Sequence, residues 1–213
     1  MRIFAETCPQ YLFLTEDDMD TDDMEGAKYV CTPPPRTKED QEHLWRGLHN
    51  GTFQVLSSDH SPWCYSDKVA AGPRTPFHKI PNGVPGIETR LPLLYSEGVC
   101  KGRITVNQFV SLGATNAAKL YGLYPRKGTI AIGSDADIAI WDTDREATIS
   151  NGLLHHNADY TPYEGMTVRG WPIMTVSRGE VVWRDGEVVG KPGRGQFLAC
   201  DLPNPVAASF RSG

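Results

Sequence analysis

The stretch Thr52-Phe53-Gln54-Val55-Leu56-Ser57-Ser58-Asp59-His60-Ser61-Pro62 sets the tightest limit on what this chain can fold into. An apolar run rich in β-formers stops abruptly at a carboxylate, a histidine and a proline. A strand over 52–58 is therefore predicted to end in an acid. A strand-terminal acid, followed by a long loop and then a helix, is how α/β barrels present reactive groups at their open face. Asp59 in that place can bind a metal or take a proton from a water. The same residues also spell Asp-x-x-Pro, a turn starter in which Asp59 only caps the next turn. Both readings stand at this point.

The segment before that strand is a well-marked helix. Thr37 is a good N-cap with Asp40 three residues on, Leu44, Trp45 and Leu48 form an apolar stripe, and Asn50-Gly51 supply a left-handed stop. A helix, a glycine stop and a strand make an α-to-β step, which points to a parallel sheet. His43 and His49 ride on this helix without forming an HExxH pair and read as surface residues. Upstream, residues 3–6 read as a short buried strand with nothing before it to cover it, which suggests that the sequence starts inside a domain.

Two other segments bear on chemistry. Thr32 precedes three consecutive prolines, Pro33-Pro34-Pro35, which hold the backbone extended and deny it ladder donors. Such a segment can press Thr32 against a ligand, or be a plain linker. Asn82 lies in Ile80-Pro81-Asn82-Gly83-Val84-Pro85-Gly86, at the end of a long irregular stretch after Asp59. Its carboxamide can both give and accept hydrogen bonds, and Asn-Gly is also an ordinary turn pair. Between residues 15 and 26 the chain carries seven acids. Asp18, Asp20 and Asp22 have the 1-3-5 spacing of a calcium loop, but Asp23 replaces the required glycine and Tyr29 the final glutamate. A solvated acidic loop is the reading.

Helical patterns follow over 88–97, 106–112 and 116–121, with Thr105 and Thr115 as N-caps and Gly98, Gly113 and Gly122 as stops. From Gly128 the period changes. Short strands are expected over 129–133, 138–142, 174–177, 179–184 and 187–189, the last two closed at Asp185-Gly186. The chain thus reads as α/β followed by β. His155 and His156 fall in a polar connection and read as a surface pair, although adjacent histidines can bind metal. Residues from 191 on read as an extended or disordered tail.

Composition narrows the partners. At 39% hydrophobic and 22% charged the chain is globular. Its net charge of -5 argues against nucleic acid or an anionic membrane surface as the main partner. No leader and no membrane-length apolar run are recognised. The five cysteines are scattered, odd in number and free of CxxC pairs, as expected of reduced thiols in the cytoplasm.

Several segments together resemble the C-terminal part of the dihydropyrimidinase and D-hydantoinase family of cyclic amidohydrolases. They are Ala5-Glu6-Thr7-Cys8-Pro9-Gln10-Tyr11-Leu12, Pro33-Pro34-Pro35-Arg36, Ser57-Ser58-Asp59-His60-Ser61-Pro62 and Ile80-Pro81-Asn82-Gly83-Val84-Pro85-Gly86-Ile87-Glu88. Arg126-Lys127-Gly128-Thr129-Ile130 and Gly133-Ser134-Asp135-Ala136-Asp137 complete the set. The resemblance implies the last strands and helices of a (β/α)8 TIM-like barrel over 1–125, a β-sandwich segment over 126–190 and a tail over 191–213. It implies metal-dependent hydrolysis of the ring amide of dihydropyrimidines or 5-substituted hydantoins, as part of a longer chain that assembles as a homo-tetramer. Asp59 would ligate one of two divalent metals, usually zinc, and carry the proton. Thr32, where the family usually has serine, and Asn82 would hold the two sides of the cyclic amide through their main chains. The family's HxH pair, its carbamylated lysine, its two later histidine ligands and its oxyanion tyrosine have no counterpart in this sequence. Of the six protein ligands only Asp59 can be matched, so the 213 residues alone are expected to be inactive. Two other readings stay open: a non-catalytic dihydropyrimidinase-related assembly protein, and another cyclic amidohydrolase such as an allantoinase.

Overall fold

The computed structural model describes residues 3–203. The α/β portion is built on one parallel pair, β1 (Glu6–Thr7) and β2 (Val55–Leu56), with Glu6 opposite Val55 and Thr7 opposite Leu56. The chain travels between them through α1 (Pro9–Phe13), two 3-10 turns and α2 (Lys38–Asn50). Parallel neighbours need such a crossover, which no hairpin can supply. The α2 ends follow the sequence closely. Thr37 and Asp40 close a reciprocal capping box, and Gly51 stops the helix at φ 81°. Trp45 and Leu48 are buried and Leu44 packs against the same core, while His43 and His49 are exposed.

Both strands are shorter than the apolar runs that encode them. Ladder bonds and side chains extend β2 slightly: Ser57 N–H donates to the Thr7 carbonyl, and the carbonyls of Gln54 and Leu56 accept from Asn116 Nδ2 (2.8 Å) and from Arg90. At the other end, Ile3 and Phe4 are exposed rather than buried, because the main-chain pairing begins only at Ala5. Met1 and Arg2 lie outside the described residues.

Three helices cover this pair. Arg90–Leu94 (α4, after the single turn α3 at Tyr65–Lys68) runs on as a wider π-type segment, Tyr95–Cys100. Val106–Val110 (α5) continues likewise through Ser111–Thr115 into Asn116–Leu120 (α6). Gly98 and Gly113 therefore do not stop their helices, and Thr115 is no N-cap. Gly98 is where Ile104 and Trp45 crowd in, and Leu91 crowds Gly113, so their bare Cα atoms serve packing. Thr115 uses its hydroxyl on the Gly128 carbonyl at 2.7 Å. Thr105 is a true N-cap with Gln108, and Gly122 ends α6 at φ 66°.

The second half is one antiparallel sheet in the order β3 (Ile138–Thr148), β4 (Thr167–Ser177), β5 (Glu180–Arg184), β6 (Glu187–Val188). Its turns sit at Arg178-Gly179 and Asp185-Gly186, all four residues at positive φ, which matches the twist of a tight hairpin. The expected strand at 129–133 is absent. Ile130 and Ile132 are exposed there and the backbone turns, with Asp135 N–H reaching back to the Arg126 carbonyl. Residues 191–203 form no regular element, and 204–213 of the expected tail lie outside the described residues.

Two cores meet through Phe13. Leu12, Trp45, Leu48, Leu56, Leu94, Ile104, Phe109 and Leu112 make one, while Leu14, Leu93, Ile149, Tyr163, Val168 and Trp171 make the other. Phe13 stands edge-on to Trp45 and to Tyr163, at 6.0 and 6.3 Å between centroids. From β3, Trp141 packs on Tyr95 and Phe109. The antiparallel sheet is thereby seated on the helices.

Candidate active site

Beyond Leu56 the chain leaves β2 and brings Asp59 to the surface at φ 45°, a left-handed conformation uncommon outside glycine. Non-glycine residues held in this region cluster at active sites and ligand clamps. Asp59 lines an open cleft of about 1110 Å³ together with Tyr11, Thr32, Arg36, His43 and His60. One carboxylate oxygen is oriented from below. Gln10 is fully buried in α1, and its Nε2 donates to Asp59 Oδ2 at 3.1 Å. The turn-starter reading of Asp59 finds no support in its contacts, since its hydrogen-bond partner is Gln10, 49 positions upstream.

His60 is fixed by main chain. Its Nδ1 accepts from the Gly86 and Ile87 amides at 3.1 and 3.3 Å, which leaves Nε2 to carry the proton in the neutral ring. Burial pushes its pKa below the ordinary histidine value. His156 lies 6.2 Å away between ring centroids and is lowered for the same first reason, with His60 adding to it. The His155-His156 pair is thus not a uniform surface pair. His156 is half-buried and accepts from Ala158 N–H, whereas exposed His155 binds Glu88 at 2.7 Å and is raised by that bond.

Thr32 and Asn82 come together across 50 residues. Thr32 Oγ1 donates to Asn82 Oδ1 at 2.7 Å. Thr32 borders both the main cleft and a second cavity of about 500 Å³, which Asn82, Met24 and Phe77 also line. The Asn82 carbonyl accepts from the Trp63 indole at 3.0 Å. Neither the Thr32 nor the Asn82 amide donates to another described residue. Sequence reasoning missed Gln10, Trp63 and Lys68. A glutamine and a tryptophan carry no spacing signal, and only the burial of Lys68 makes it unusual.

As a metal centre the donor set is incomplete. Among the described residues no group of three or more histidine, cysteine or acidic side chains converges, although Glu6 and Asp40 border the same cleft as Asp59. A catalytic zinc site takes three or more protein ligands. These residues by themselves do not fit one. What they do offer is an oriented carboxylate in a cleft large enough for a small ring, which Thr32 also lines and Asn82 does not.

The chain is 51% identical over 193 residues to a D-hydantoinase of Rhizobium radiobacter, which spans 91% of this chain and 42% of the relative. A D-hydantoinase of Ralstonia pickettii is 48% identical over 198 residues, covering 93% of this chain and 43% of its own length. The crystal structure of a Brevibacillus agri dihydropyrimidinase superposes with a TM-score of 0.91 at 47% identity, over 95% of this chain and 44% of that one. The chain therefore spans about two-fifths of the length of the relatives it matches. Residues 14–182 match the family described as the amidohydrolase family. On this match, which takes in Asp59, Thr32 and Asn82 alike, the chain belongs to the amidohydrolase family.

Proposed function

We propose that this chain is the C-terminal part of a cyclic amidohydrolase that opens the ring amide of hydantoins or dihydropyrimidines. Residues 1–125 are then the last strands and helices of a (β/α)8 barrel, 126–190 a β-sandwich segment and 191–213 a tail. The single observation that carries the reading is Asp59, displayed at the end of β2 in a left-handed conformation and oriented by buried Gln10. The names of the relatives, D-hydantoinase and dihydropyrimidinase, supply the substrate class.

In this reading the main-chain groups of Thr32 and Asn82 hold the polar edge of a planar ring, and Asp59 takes the proton of the attacking water. Asp59 then returns that proton to the ring nitrogen as the C–N bond breaks. The same carboxylate is the one zinc ligand that this chain contributes. The other ligands would come from the part of the family fold that these 213 residues do not span. Homo-tetramer assembly and a cytoplasmic setting belong to the same proposal. No helix of the described residues is long and apolar enough to cross a membrane.

The test is a chimera. The chain is joined in frame to the part of the Rhizobium radiobacter D-hydantoinase that it does not match, and hydantoin and dihydrouracil hydrolysis are measured. Turnover by the chimera, lowered about 10³-fold by Asp59→Ala with the fold retained, is the expected result. A folded, metal-loaded chimera that opens neither ring overturns the proposal.

A further inference from the structure

We propose that Lys68 is the positioning residue of this site: its buried amine pins the main chain at Val30 and at Pro81, and thereby sets the spacing of Thr32 and Asn82. The role of that spacing in binding a ring amide rests on the function proposed above.

Lysine is almost never fully buried unless it is paired. Lys68 is 0% exposed and has no carboxylate partner among the described residues. Its Nζ donates instead to the Val30 carbonyl at 3.1 Å and the Pro81 carbonyl at 3.0 Å. Those two carbonyls lie two residues before Thr32 and one residue before Asn82. A third bond closes the figure, because Gly83 N–H also donates to the Val30 carbonyl, at 3.0 Å.

The local sequence makes such a clamp necessary. Neither segment belongs to a strand, so no ladder fixes either one against the other. Irregular segments keep a defined position only when their backbone groups are tied. Past the anchor points, Pro33-Pro34-Pro35 on one side and Pro81 on the other restrict the backbone. A fixed carbonyl at Val30 or Pro81 therefore carries over to the residue that follows it.

An amine suits the place in either protonation state. Burial pushes Lys68 down to about 8. The ammonium has three N–H donors and the neutral amine two, so two carbonyls are satisfied on both sides of that value. The side chain lines neither the main cleft nor the second cavity, and any effect on a ligand must pass through the main chain.

The variant that tests this is Lys68→Met, which keeps an unbranched apolar stem, one bond shorter, and removes the donors. In the chimera, KM for hydantoin should rise about tenfold, with kcat within about threefold and metal content unchanged. Lys68→Gln, one bond shorter but still a donor, should give an intermediate KM, and it carries the test if the methionine variant fails to fold. In the 213-residue chain, amide exchange should speed up at 28–32 and 80–83 and stay unchanged in α2 and β4. A wild-type chimera without hydrolysis would sink the function and leave the clamp to be decided by exchange alone. Unchanged KM and unchanged exchange in both variants, or exchange raised evenly across the chain, would overturn the clamp.

Discussion

Gln10, sealed in the first helix with no exposed surface, reaches Asp59 through its amide nitrogen at 3.1 Å, so an exposed carboxylate is oriented by one of the most buried polar side chains. Gln10 Oε1 has no partner among the described residues, so the bond to Asp59 is what this side chain has in return for its burial. Gln10→Leu should preserve the volume and keep stability within about 1 kcal/mol, since the unsatisfied oxygen goes with the donor. Turnover of the chimera should fall about tenfold as the carboxylate loses its orientation. Urea unfolding beside steady-state kinetics checks both halves.

Gly83 has φ 121° and its Cα faces the Ser61 side chain and carbonyl at less than contact distance for a Cβ. Gly83→Ala should therefore displace Asn82 and cost about 2 kcal/mol, more than an exposed alanine ever would. The expected pattern is a lowered urea midpoint together with a raised KM.

Leu48 and Leu56 are wholly buried in the core beneath the parallel pair. Leu56→Ala should cost about 3 kcal/mol through lost contacts and the cavity left behind. Ile130→Ala, at a position that is 82% exposed, should change stability by less than about 0.5 kcal/mol. Equal losses in the two variants would mean that Leu56 is not core.

Lys68 titrates low in the fold, at about 8 against an ordinary 10.5, because burial disfavours its charge. Between those values the unfolded chain holds more protons at this residue than the folded one. The cost of burying the charge is therefore full below pH 8 and relieved as pH rises toward 10.5. Cys31 works the other way: burial raises it to about 11, and its contribution is lost above pH 9. The stability difference between Lys68→Met and wild type isolates the lysine. It should shift by a few kcal/mol in favour of wild type from pH 7.5 to 10, read by urea unfolding at both values.

Buried Cys8 and Cys31 are both held above the ordinary thiol range by burial, while Cys100 and Cys200 are exposed. A neutral-pH thiol reagent should modify Cys100 and Cys200 within minutes, and reach Cys8 and Cys31 only on unfolding.

Local signals were legible where a short segment decides its own geometry. The Thr37–Asp40 box, the Gly51 stop, the Thr105 cap and the Asp185-Gly186 turn all stand as their residues specify. The strand at 129–133 failed because alternation of isoleucines gives a strand only where a neighbour supplies ladder partners, and there the chain turns back on Arg126 instead. Gly98 and Gly113 misled for a related reason: tight packing, not helix termination, calls for a missing Cβ. At the site, Asp59 is conspicuous because an apolar run ends in it. The contacts of Gln10, Lys68 and Trp63 are tertiary, and no spacing in the sequence announces them.

The side chains of Arg90 and Asn116, which take the carbonyls of Leu56 and Gln54, have one more consequence. They make the height of Asp59 a property of α4 and α6 as much as of its own strand. A helix that shifts along its axis would carry its peg with it and tilt the end of β2, as an adjusting screw moves a mount. Substitutions at the far ends of those helices can thus retune the reach of the carboxylate without touching any residue of the cleft.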